Sequence, residues 1–96
     1  MVKVRVELYA RLVELAGVNH LTLELPDKAC LKDLLERLYQ KFGKDFESVV
    51  TTPSAEYGHY LGVILINERE AMRLNNLETE LKENDRIKII PPVSGG

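Results

Sequence analysis

The sequence predicts an α+β fold, a mixed sheet with one main helix packed across it, on three observations. Segments near both ends alternate apolar and polar residues with the period of a half-buried strand. Residues 31–42 repeat their leucines at helical spacing instead. The chain has 96 residues, which suits one domain with one core, so the leucine stripe has only the sheet to bury against.

In chain order, Val2, Val4, Val6 and Leu8 alternate with Lys3, Arg5 and Glu7, giving a first strand with a charged outer face. Across Ala10–Gly17 the period changes. Leu12, Leu15 and Ala16 fall at i, i+3 and i+4, and Gly17 suits the left-handed residue that closes a helix, so one or two helical turns follow. Leu21, Leu23 and Leu25 alternate with Thr22 and Glu24 in a second strand, ended by Pro26-Asp27. The main helix places Leu31, Leu34, Leu35, Leu38 and Phe42 on one face and ends at Gly43. Cys30 takes its N-cap with Asp33 three residues on, a capping box weakened by the cysteine. Residues 44–60 have no clean period and read as a long loop with one turn of helix near Asp45–Val49.

Leu61–Ile66 is almost continuously apolar, the pattern of a strand buried on both faces. Asn67-Glu68 then turns the chain towards a short return strand at Ala71–Leu74. Leu77 and Leu81 bracket a polar connection, and Asn84-Asp85 turns into Arg86–Ile90, with Ile87 and Ile89 facing inward. Pro91-Pro92 closes that strand, because proline donates no ladder hydrogen bond. With the first and last strands adjacent at the centre, this order is that of a ubiquitin-like β-grasp over residues 1–92. Residues 93–96 form a flexible Gly-Gly tail.

Composition narrows the function. Hydrophobic residues make up 45% of the chain and charged residues 29%, as in an ordinary soluble domain. A net charge of −2 disfavours a nucleic-acid partner. The single cysteine, Cys30, excludes an internal disulfide and a multi-cysteine zinc site. No apolar run approaches the roughly 20 residues of a membrane span, and the alternation from residue 2 argues against a signal peptide. The expected setting is the cytoplasm. No phosphate loop, nucleophile elbow or nucleophile–base pair is visible, so an independent active site is not expected. His20 and His59 read as surface residues, and Cys30 as a small capping residue rather than a reactive thiol. The six acids and three bases from Glu68 to Asp85 read as a solvated face, with docking to a basic partner as the alternative.

The C-terminal segment is the feature left for chemistry. Its two glycines follow a strand, a double proline and two small residues. The stretch from Pro92 to Gly96 can extend about 17 Å at roughly 3.3–3.6 Å per residue. Lacking side chains, Gly95 and Gly96 can pass a narrow channel. A carboxylate on Gly96 is a poor acyl donor until a partner joins it to AMP; the acyl-adenylate then accepts sulfur or an amine. The chain would supply an unhindered acyl group on a rigid handle.

Two segments carry a family resemblance. The ending Pro91-Pro92-Val93-Ser94-Gly95-Gly96 resembles that of the MoaD sulfur carriers, the small subunits of molybdopterin synthase. The opening Leu8-Tyr9-Ala10-Arg11-Leu12-Val13-Glu14-Leu15-Ala16-Gly17 resembles the same family's aromatic-Ala-Arg-Leu segment after its first strand. ThiS-type carriers of the thiamin pathway share the terminal Gly-Gly, and small archaeal modifier proteins are related. The resemblance implies adenylation of Gly96 by a MoeB-type enzyme using ATP, with no cofactor bound to the carrier itself. It implies a thiocarboxylate that enters a MoaE-type large subunit, in a heterotetramer, and gives sulfur to precursor Z. It further implies partner contacts by Tyr9, Pro91, Pro92, Val93, Ser94, Gly95 and Gly96; for Tyr9 the competing reading is core packing. Two turns depart from the family pattern: Asn67-Glu68 stands for Asn-Gly, and Asn84-Asp85 for Gly-Asp. Asn84 can replace glycine because asparagine tolerates positive φ. In the related modifiers, the same glycine would form an isopeptide with a lysine of a target protein.

Overall fold

A computed structural model describes residues 1–51, 53–54, 58–59, 63–71 and 74–91. Strand β1 (Val2–Leu8) leads through helix α1 (Arg11–Ala16) to β2 (His20–Leu25) and the long helix α2 (Leu31–Phe42). Helix α3 (Lys44–Val50) follows, then β3 (Pro53–Ser54), β4 (Gly58–His59), β5 (Val63–Ile66), β6 (Arg69–Glu70), a 3-10 turn at Asn76–Glu78 and β7 (Arg86–Ile90). The main sheet has the order β2-β1-β7-β5-β6, and β3 pairs with β4 in a separate two-stranded ribbon. β1 and β7 run parallel and adjacent, with Leu8 opposite Ile89; the other pairs of the main sheet are antiparallel. This is the ubiquitin-like β-grasp.

The alternation in each strand sends one set of side chains to α2. Val4, Val6 and Leu8 of β1, Leu23 and Leu25 of β2, Ile64 and Ile66 of β5, and Ile87 and Ile89 of β7 are all buried. They meet Leu31, Leu34, Leu35 and Leu38 of α2. The start of α2 is held by Asp33, whose carboxylate accepts the Cys30 backbone N–H at 2.9 Å and the Cys30 thiol at 3.4 Å. Those two donors, the backbone one first, hold the Asp33 carboxyl below its ordinary value. The thiol is thus a donor within the cap, and Cys30 is partly buried. Gly17 closes α1 at φ 79°, in the left-handed conformation expected of it. Asn84 takes φ 67° where the family pattern has glycine.

Four elements differ from the sequence reading, one of them the β3–β4 ribbon, whose Pro53 pairs with His59 inside residues read as a long loop. The expected single turn near Asp45–Val49 is a full helix, α3, because Phe46 and Val50 are buried and Phe46 packs on Phe42 with ring centroids 5.1 Å apart. The i, i+3, i+4 spacing of Phe46, Val49 and Val50 was the available signal. A return strand is formed by Arg69–Glu70, earlier than expected; Ala71 and Leu74 are not in a strand, and residues 72–73 of the expected one lie outside the described residues. Asn67 and Glu68 take φ 52° and 72°, the left-handed pair that a two-residue hairpin turn requires, so pairing resumes at once with Arg69 opposite Ile66. β5 is described over Val63–Ile66 and is buried on one face only, with Val63 41% exposed. Among the described residues a single helix layer covers one side of this sheet, so Val63 on the other side stays exposed, and residues 61–62 of the expected strand lie outside the described residues.

Candidate functional site

The site forms where β7 ends. In the parallel β1–β7 pair the last registered residues are Leu8 and Ile89. Tyr9 and Ile90, the next residue of each strand, therefore come to the same end of the sheet. Pro91 follows Ile90 and is buried, so the chain is still anchored to the body as it leaves β7. β5 lies on the other side of β7, antiparallel, with Val63 opposite Ile90 and Leu65 opposite Lys88. Registered residues share a face. Because Ile87 and Ile89 face α2, Ile90, Lys88, Val63 and Leu65 face the other way.

The exit of β7 is thus flanked on the uncovered face by apolar side chains. Val63 is exposed, and Leu65 and Ile90 are partly buried. Tyr9 is 36% exposed, which places it at the surface rather than in the core. Tyr9 also lines an open cleft of about 190 Å³ with Arg5, Glu7, Asn19 and His20. Within it, a ring nitrogen of His20 (Nδ1) and Asn19 Oδ1 lie 2.7 Å apart. His20 opens β2 and is exposed, as expected of a surface histidine.

A charged pair borders this patch. Lys88 Nζ lies 2.6 Å from Glu68 Oε1. The hydrogen bond to Glu68 raises the Lys88 ammonium above its ordinary value, and Lys88 lowers the Glu68 carboxyl in return. The same Glu68 sits at left-handed φ in the hairpin turn. Asn67 ties that turn to the start of β7: Arg86 N–H donates to Asn67 Oδ1 at 2.9 Å, and Asn67 Nδ2 donates to Asp85 Oδ1 at 2.8 Å. The β5–β6 hairpin is thereby held in register beside the exit strand.

Of the residues singled out in the sequence, the structure brings Tyr9 and Pro91 to one end of the sheet. Pro92, Val93, Ser94, Gly95 and Gly96 lie outside the described residues, as does the expected boundary between residues 92 and 93. Val63, Leu65 and Ile90 were not singled out. Their apolar character is visible in the sequence, but alternation shows only which residues share a face, not which face stays uncovered. Among the described residues, no group of His, Cys, Asp and Glu is arranged to hold a metal ion, and no helix is long and apolar enough to cross a membrane. The apolar end of the outward face can dock a protein surface.

Comparison with known proteins adds to this geometry. The model of the ThiS family matches residues 6–96. The molybdopterin synthase sulfur carrier subunit of Arabidopsis thaliana is 33% identical over 95 residues, covering 99% of this chain and 84% of the relative. The solution structure of small archaeal modifier protein 1 from Methanosarcina acetivorans superimposes with a TM-score of 0.78 at 37% identity, covering 100% of this chain and 98% of that one. A chain from the protein–protein complex of subunits 1 and 2 of the molybdopterin-converting factor of Helicobacter pylori matches with a TM-score of 0.60 at 25% identity, over 98% of this chain and 99% of that one.

Proposed function

The chain belongs to the ThiS family, and from that premise we propose that it is a MoaD-like sulfur carrier in molybdopterin synthesis, acting through the carboxylate of Gly96. A MoeB-type partner supplies ATP. The Gly96 carboxylate attacks the α-phosphorus, pyrophosphate leaves, and the glycine becomes an acyl-adenylate. Hydrosulfide-level sulfur delivered by a partner attacks the carbonyl carbon, AMP leaves with one carboxyl oxygen, and a thiocarboxylate results. A MoaE-type large subunit then receives the tail, and the thiocarboxylate sulfur is transferred to precursor Z. Water restores the oxygen and regenerates the carboxylate. No side chain of this protein performs acid–base work in these steps; the chain presents the acyl group, and its partners hold the reacting atoms.

One observation carries the reading. The parallel β1–β7 pair puts the exit of the C-terminal segment beside an exposed tyrosine and an uncovered apolar strip. A partner seated there would have the tail directed into it from a fixed point, which lowers the ordering cost of productive binding. The test is intact-mass analysis of the chain after incubation with ATP, the activating enzyme and a sulfur donor. Replacement of one oxygen by sulfur at Gly96 is expected; a mass unchanged under all conditions overturns the proposal.

A second reading has its own support in the 37% identity to an archaeal protein named as a modifier. The same acyl-adenylate would then pass to a lysine amine, forming an isopeptide and releasing AMP. The two readings differ only in the acceptor. Recovery of this chain covalently linked to lysines of other proteins in its own host would favour the second.

A further inference from the structure

Ala10 carries φ 55° and ψ −130°, backbone angles that residues with a side chain rarely adopt. It is the first central residue of a tight turn in which the Leu12 N–H donates to the Tyr9 carbonyl at 3.1 Å. These angles are those of a type II′ turn, whose first central position favours glycine. The Ala10 side chain is exposed, so packing of its methyl group does not offset the strain. Both flanks of the turn are fixed. Leu8 is buried, donates its N–H to the Asn19 carbonyl at 2.9 Å and is registered with Ile89. Leu12 is buried in the core. The chain must therefore reverse between these two anchors, and Tyr9 is mounted on the reversal.

We propose that Ala10 is a positioning residue: its constrained turn holds Tyr9 in one orientation beside the exit of the C-terminal segment, ready for the activating partner. This rests on the function proposed above. An alanine forced into this region has a narrow well, whereas a glycine in the same turn has a broad one. The methyl group stiffens the mount of Tyr9 at a cost in folding free energy that glycine would avoid. Backbone strain of this kind persists where its surroundings over-determine it.

The test is Ala10→Gly in the full chain, read in two ways. Backbone amide relaxation of the chain alone should show the Tyr9 order parameter falling from about 0.85 towards about 0.6 while Leu8 and Leu12 hold. The urea midpoint should not fall. In adenylation by the MoeB-type enzyme of the same genome, KM for the chain should rise about fivefold with kcat unchanged, the scale of ordering one side chain at an interface. Tyr9→Ala should raise KM by itself, and Ala10→Gly should add nothing in that background. An unchanged Tyr9 order parameter overturns the proposal. So does a KM that ignores the substitution, or a KM penalty that persists without the Tyr9 side chain. If the wild-type chain is not adenylated at all, the proposed function fails, and the relaxation measurement still decides the role of the turn.

Discussion

On the face of the main sheet that meets α2, Val4, Val6, Leu8, Leu23, Leu25, Ile64, Ile66, Ile87 and Ile89 are buried, and Val2 and Leu21 partly so. On the opposite face the same strands place Lys3, Arg5, Glu7, Thr22 and Glu24, all but the half-buried Glu7 exposed, beside Tyr9, Val63, Leu65 and Ile90 around the end of β7. One backbone therefore serves two purposes through a period of two. The inner face drives folding by removing apolar area from water. The outer face contributes little to folding and is free to carry recognition. Its apolar residues lie where the chain leaves β7.

If this division is sound, changes on either side should separate stability from transfer. Deletion of Gly96 is the largest expected effect on function. Thiocarboxylate formation, followed by intact mass, should be abolished, while urea unfolding of the body stays unmoved, because the described core is complete without that residue. A truncated chain that still acquires sulfur would break the comparison. Leu35→Ala is the converse. The leucine is 3% exposed against the sheet, and its truncation should cost about 2–5 kcal/mol in urea unfolding. Adenylation of the fraction that remains folded should be unchanged; a selective loss of partner binding with normal unfolding would place that leucine on the wrong side of the division.

Val63→Asp sharpens the comparison from the outer face. A charge set into the apolar strip should weaken partner binding by tenfold or more, about 1.4 kcal/mol, measured by titration calorimetry. Stability should change by only about 0.5 kcal/mol, as for other surface sites. The smallest effect concerns pH. The Asp33 carboxyl titrates below its ordinary 3.8 in the folded chain, held there by the Cys30 N–H and thiol. Its contribution is thus fully present above about pH 4 and lost as pH falls through the folded-state value. Asp33→Asn should flatten the acid limb of a stability–pH curve without altering sulfur transfer near neutrality. An unaltered acid limb would remove the cap from the inner-face account.

Much of the fold could be read along the chain because its signals are local. The leucine spacing of α2, the alternation of β1, β2 and β7, and the left-handed stop at Gly17 each depend on a few neighbouring residues. Misreadings arose where a neighbour in space made the decision. Ala71–Leu74 has acceptable strand composition, but the left-handed pair Asn67-Glu68 reverses the chain at once and assigns pairing to Arg69–Glu70. Leu61–Ile66 resembles a doubly buried strand, yet over the described Val63–Ile66 only Ile64 and Ile66 are buried, since among the described residues helices cover one side of the sheet. Helix α3 lies beyond the glycine that ends α2, and its burial depends on Phe42 and Tyr39 as partners for Phe46.

The candidate site divides in the same way. The proposed tail glycines, Gly95 and Gly96, and the tyrosine after β1 are written in short segments, which need no distant partner to be recognised. That Tyr9 stands beside the exit of β7, with Val63 across from Ile90, follows from pairing between opposite ends of the chain. So does the turn that strains Ala10, because Leu8 and Leu12 are anchored by residues remote in sequence. Hydrophobic periodicity specifies which side chains share a face. Only the closure of the sheet around one helix decides which of them water still reaches.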